Sequence, residues 1–211
     1  MLVQGQNIAS APTARASGNP NLLQLQLGEA AVSQLLPRYA ALAWSGKVFS
    51  TYSAAQATSL AGTAMVGLQL YNGSPVSGAG AVNLVLLKAA GHILVTTATL
   101  TSIVLVTGVG QTSAPTGQTA ATRSSNNLIG GAGPTALALN AGTFTNAPTA
   151  IWPLLHNTAA ISATGEDPGW LIDFEGSIII PPQTYAAVAA VGAASSAGGV
   201  NAGFMWAELP I

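Results

Sequence analysis

The chain has 211 residues, of which 5% are charged and 49% hydrophobic, with two His, no Cys and a formal net charge of −1; an ordinary soluble domain carries roughly 25% charged residues. Without cysteine there are no disulfides, thiolate nucleophiles, zinc–cysteine sites or iron–sulfur clusters. The basic residues Arg15, Arg38, Lys47, Lys88 and Arg123 are scattered and form no patch that neutralises several phosphates, which argues against a nucleic-acid partner.

A compact monomer of 20.9 kDa exposes on the order of 9,000 Å², or about one charge per ~800 Å². Such an exterior is covered by other protein or coated with neutral polar groups, and the abundance of Ala, Gly, Thr, Ser, Asn and Gln fits both. This is the composition of an assembly component. The N-terminus, MLVQGQNIASAPTARASGNP, lacks a basic region followed by a long apolar run and does not read as a secretory signal.

Residues 1–27 read as an N-terminal arm running into a first strand, where Leu23, Leu25 and Leu27 alternate with Gln24 and Gln26. These three leucines are candidate core or interface anchors. A domain over 28–211 follows. In AAVSQLLPRYAALAW, Pro37 disfavours a continuous helix; a short helix or turn is one alternative, and extended structure from Arg38 through Phe49 and past Tyr52, with a turn at Ser45-Gly46, is preferred.

The segment 64–71 alternates as a strand, and a Gly/Pro/Ser loop follows it. In NLVLLKAAGHILV, strict alternation puts Val85, Leu87, Ala89, Gly91 and Ile93 on one face and Leu84, Leu86, Lys88, Ala90 and His92 on the other. Residues 93–110 carry no charge and approach the spanning length of ~20 residues. Their Thr, Ser and β-branched content favours two strands joined by a turn over a membrane helix.

Residues 110–135 read as a long loop, or two loops around a short segment. Further strands are expected at 136–139, 149–155, 170–180 and 184–191, with Pro181-Pro182 ending one strand at a corner where the chain crosses between sheets. In the last strand, VNAGFMWAEL, Val200, Ala202, Phe204 and Trp206 share a face. Phe204 and Trp206 complete the candidate anchors. Many short strands with turn signals and no sustained helix predict an all-β fold, a jelly-roll-like β-sandwich with an extended arm.

Materials for chemistry are sparse. His92 and His156 lack metal-ligand spacing. Asp173 and Glu175, two apart, would aim both carboxylates to one side of a flat strand, where they could bind a cation or act as an acid pair; Glu166 and Asp167 read as a turn. No nucleophile elbow or phosphate loop is present. The expectation is therefore no enzyme, no metal and no cofactor. Trp152 and Trp170, near turns, are candidates for solvent-facing rings that stack on sugars, whereas Trp206 falls on a core face.

The segments RYAALAWSGKVFS, GLQLYNGSPVSGAGAVNLVLLKA and DFEGSIIIPPQTYAAVAAVGAASSAGGVNAGFMWAELP resemble, in that order, virion structural proteins of tailed bacteriophages, of the kind that includes trimeric jelly-roll capsid cement or decoration proteins. The resemblance spans residues 28–211. Pro182-Gln183 stands where the usual corner is Pro-Gly, and Asn72-Gly73 where the loop has Asn-Pro.

The resemblance implies a homotrimer on the capsid surface of the virion. It would be made in the host bacterial cytoplasm, bind between major capsid subunits and stabilise the head shell, without catalytic residues and without membrane contact. The alternative is a host-glycan-binding head domain of a tail fibre or spike, using loops 72–80 or 110–135 with Trp170.

Overall fold

The computed structural model describes residues 23–24, 30–31, 39–53, 63–95, 102–121, 123–156, 169–191 and 199–211. The chain divides into Met1–Ala40 and Ala41–Ile211. In the first unit β1 (Leu23–Gln24) pairs antiparallel with β2 (Ala30–Ala31). Leu25 and Leu27 lie outside the described residues, and Leu23 is described only through its backbone pairing with Ala31.

Of the alternatives for the segment from Arg38, the short helix forms rather than the preferred extended structure: α1 (Ala40–Trp44) precedes the first long strand. Pro37 lies ahead of this helix and so does not interrupt its hydrogen bonds. Its C-terminus closes as a Schellman motif: Lys47 N donates to Leu42 O at 2.9 Å and Gly46 N to Ala43 O at 3.0 Å. Gly46, at φ +68°, takes the left-handed position that such an ending requires. Among the described residues no helix is long and apolar enough to cross a membrane.

The remaining elements are strands: β3 (Val48–Tyr52), β4 (Ala64–Tyr71), β5 (Val82–Val95), β6 (Ser102–Gly108), β7 (Thr116–Ala120), β8 (Arg123–Asn126), β9 (Leu137–Thr143), β10 (Thr149–His156), β11 (Gly169–Ile180), β12 (Tyr185–Val191) and β13 (Gly199–Pro210). They form two antiparallel sheets, β10-β6-β12-β4-β9-β7 and β11-β5-β13-β3-β8. With β7, β8 and β9 set aside, the sheets read β10-β6-β12-β4 and β11-β5-β13-β3. This is the order that two Greek keys generate in an eight-stranded jelly roll. The excursion between β6 and β10 widens both sheets, since β9 and β7 add beside β4 while β8 adds beside β3. Residues 110–135, expected as a long loop or two loops around a short segment, thus contain two strands.

The main core lies between the sheets and includes Phe49, Leu68, Leu84, Leu86, Ile103, Leu105, Val188, Phe204 and Trp206. Phe204 is 2% exposed and Trp206 fully buried, with the indole stacked on Phe49 at 5.8 Å. Each such aromatic buries about 150–250 Å², roughly 4–6 kcal/mol of transfer free energy. A second cluster lies on the opposite face of the six-stranded sheet, where Phe144 stacks on Tyr185 at 3.8 Å. The β12 run YAAVAAV is buried on both faces over Tyr185–Ala190, which accounts for its lack of polar alternation.

Strict alternation along β5 fails at Leu87. Met205 pairs with Lys88 but Trp206 with Leu86, leaving Leu87 as a bulge that reverses which residues face inward. Leu84 and Leu86 therefore share the core with Ala89 and Ile93, contrary to the two-face reading. On the other side of β5, Asp173 pairs with Lys88 and Ile178 with Leu86, so Phe174–Ser177 form a four-residue bulge opposite Leu87.

The corner at Pro181-Pro182 carries the chain from β11 in one sheet to β12 in the other. Asn72 fastens it: its Nδ2 donates to Ile180 O at 2.9 Å and to Val82 O at 2.8 Å, and its carbonyl accepts from Gln183 N at 2.9 Å. Gln183 takes φ +58°, a left-handed conformation that glycine adopts without a Cβ penalty.

Candidate functional site

The feature best suited to bind something is a groove of about 540 Å³ on the outer face of the five-stranded sheet. Register builds it. One row across the sheet runs Leu171, Ala90, Gly203 and Tyr52, and the next runs Gly169, His92 and Asn201. Their neighbours Ala89, Ile93, Ala202 and Phe204 face the core, so alternation turns these rows outward. Ala90 and Gly203 make a low floor between Leu171, 70% exposed, and Tyr52, 46% exposed.

At the end of the groove Asn201 Nδ2 donates to Tyr52 Oη at 2.8 Å and lies 3.4 Å from His92 Nε2. Asn201 Oδ1 has no hydrogen-bond partner, and neither has Trp170 Nε1. Both residues line the groove and are more than nine-tenths buried. Both atoms are closed off from solvent, and an unpaired buried donor or acceptor costs about 1–3 kcal/mol.

Trp170 is held by the absence of a side chain beneath it. A Cβ on Gly91 would lie 2.3 Å from Trp170 Cζ2 and 2.4 Å from Asn201 O. The indole therefore packs directly on the β5 backbone, its body in the main core. Trp170 is thus not the solvent-facing ring expected from its place near a turn. Trp152 is half-exposed, meeting Phe174 edge-on at 6.0 Å, and Trp44 in α1 is the most exposed tryptophan.

Asp173 and Glu175 do not lie on the flat strand expected for an acid pair. Glu175 sits in the bulge at φ +53° and donates its backbone N–H to Asp173 Oδ1 at 3.0 Å. Asp173 Oδ2 lies 3.5 Å from Lys88 Nζ. Among the described residues no three of His, Asp and Glu cluster as a metal site would require. Glu166 and Asp167 lie outside the described residues, as does the side chain of His156.

At the opposite end of the sandwich, buried polar side chains are spent on the backbone. Gln111 Oε1 accepts from Thr145 N at 2.8 Å and Asn146 N at 3.1 Å. Glu208 accepts from Thr135 N at 3.0 Å and Ala136 N at 2.9 Å. These groups pin loops, while Gln111 Nε2 is buried without a hydrogen-bond partner.

Sequence reasoning places His92 on an outer face and Trp206 in the core, and both lie there. It misses Tyr52 and Asn201. The available signal was alternation in β13, which puts Asn201 and Gly203 opposite Val200, Ala202 and Phe204. No family model, curated protein or solved structure matches this chain.

Proposed function

We propose that this chain is a capsid cement protein of a tailed bacteriophage, a homotrimer that binds between major capsid subunits and stiffens the head shell. The observation that carries this reading is a jelly-roll sandwich whose exterior has almost no charge and carries large apolar side chains on its edge strands. On one lateral side the edge strands β10 and β11 meet through the contact of Trp152 with Phe174. They expose Ile151, Trp152, Leu171 and Ile179.

Edge strands with exposed apolar residues invite pairing with another chain. A neutral surface loses little hydration when covered, whereas each buried charge costs several kcal/mol. The segments resembling tailed-phage virion proteins supply the setting. The mechanism is mechanical: interface free energy added at subunit junctions resists the pressure of packaged DNA.

A host-glycan-binding head of a tail fibre or spike is the second reading, favoured by the groove beside Tyr52. Location separates the two. Immunogold labelling of virions is expected over the whole head shell. Labelling confined to the tail tip would overturn the cement reading in favour of adhesion.

A further inference from the structure

Resting on the cement reading, we propose that the end of the sandwich at the Pro181-Pro182 corner is the face that docks on the head shell. Its counterpart there is an uncharged protein surface with apolar sockets.

The loops 72–81, 109–115, 127–136 and 181–184 meet at this end, where Pro75, Ser113, Thr135 and Gln183, one from each, line a hollow of about 390 Å³. The turn after α1 joins them, since Asn126 Nδ2 donates to Gly46 O at 3.0 Å. Trp44, Val76, Val109, Leu128 and Ile129 stand exposed on these segments. Lys47 is the only charged residue in 44–47 and the four loops, so covering this end strips hydration from almost no charge.

Polar side chains hold the apolar tips in place. Asn126 Oδ1 accepts from Leu128 N at 2.8 Å and Asn126 Nδ2 also donates to Ala132 O at 2.9 Å, closing the turn that carries Ile129. Asn146 Nδ2 donates to Val109 O at 2.8 Å and to Gly110 O at 3.0 Å. Ser74 Oγ donates to Val82 O at 3.1 Å across the base of the loop bearing Val76. Tips fixed beforehand lose little conformational entropy when a partner covers them.

Backbone exposure favours protein over lipid as that partner. Gly73, Gly78, Gly80, Gly130, Gly131 and Gly133 are exposed, and in glycine this is exposure of N–H and C=O groups beside the apolar tips. Hydrocarbon cannot pair them; a protein surface can. At Gly133 the backbone has no left-handed φ and an added Cβ would meet nothing within 4 Å, so nothing within the chain requires glycine there. Close approach by a partner's backbone does. With β10 and β11 joining the copies, closed threefold symmetry turns the same end of each to one side, and three such faces meet the shell together.

The test is cosedimentation of the full chain with head shells that lack it, alongside light scattering. Ile129→Asp, at a position 96% exposed, and Gly133→Phe, which adds a ring in open space, are each expected to stay trimeric and to weaken shell binding about tenfold or more. Each serves should the other fail to fold. An unmodified chain that binds no shells overturns the cement reading and this surface with it. Where the unmodified chain binds, full binding by either folded variant overturns this surface alone, as does binding lost only together with the trimer. Flotation with phosphatidylcholine vesicles that Ile129→Asp abolishes would make lipid the occupant, and a six-chain mass abolished by the same variant would make it a second copy; either overturns the proposal.

Discussion

Trp206 Nε1 donates to Glu208 Oε1 at 3.3 Å, joining the largest fully buried side chain to a carboxylate that is 5% exposed, two residues along the same strand. The same carboxylate accepts from Thr135 N and Ala136 N, so one acid ties β13 to the segment leading into β9. Glu208→Ala leaves three donors without it and should cost about 3–4 kcal/mol in urea unfolding. Glu208→Gln keeps one oxygen and should recover about half of that loss. A cost below about 1 kcal/mol for the alanine variant would contradict the role given to this group.

Gln183 in the left-handed region at the Pro-Pro corner predicts a gain from glycine. Gln183→Gly relieves the Cβ penalty, at some cost in unfolded-chain entropy, and should stabilise by about 0.5–1 kcal/mol. Its backbone bonds to Asn72 and Gln111 are retained. Thermal unfolding of the two proteins checks this, and a lower midpoint for the glycine variant would contradict it.

Burial pushes the Tyr185 hydroxyl up to about 12, and Tyr71 is raised for the same reason. The native state thus holds the Tyr185 proton at pH values where the unfolded chain, near 10, has released it. Stability contributed by the neutral phenol is fully present below pH ~10 and lost as pH rises toward ~12. The loss for Tyr185 is about 2–3 kcal/mol. Unfolding free energies measured across this window should fall in Tyr185-containing protein and fall less in Tyr185→Phe.

The apolar edge predicts the assembly state. Light scattering of the purified chain should give a mass three times 20.9 kDa. Ile151→Asp with Ile179→Asp, both at exposed positions, should shift that mass toward one chain without changing the far-ultraviolet circular dichroism. A monodisperse monomer in the unmodified protein would contradict the trimer.

Much of the sandwich is legible in the sequence because core strands carry apolar alternation and their ends carry turn residues. The crossing at Pro181-Pro182 is readable because proline cannot extend a ladder. Strand β7, TGQTA, is exposed throughout and has no alternation to read; it is a strand because β9 offers it an edge. The bulge at Leu87 is invisible for a related reason, since it is defined by the partner's register rather than by the leucine. The groove is harder still: Tyr52, Ala90, Leu171 and Gly203 come from four strands, and only sheet order makes them neighbours.

The most direct test of the cement reading is cosedimentation of the purified protein with assembled head shells that lack it, at micromolar concentration. Saturable recovery with the shells, together with raised resistance of those shells to heat, is the result predicted. Protein that stays in the supernatant at every concentration would contradict it.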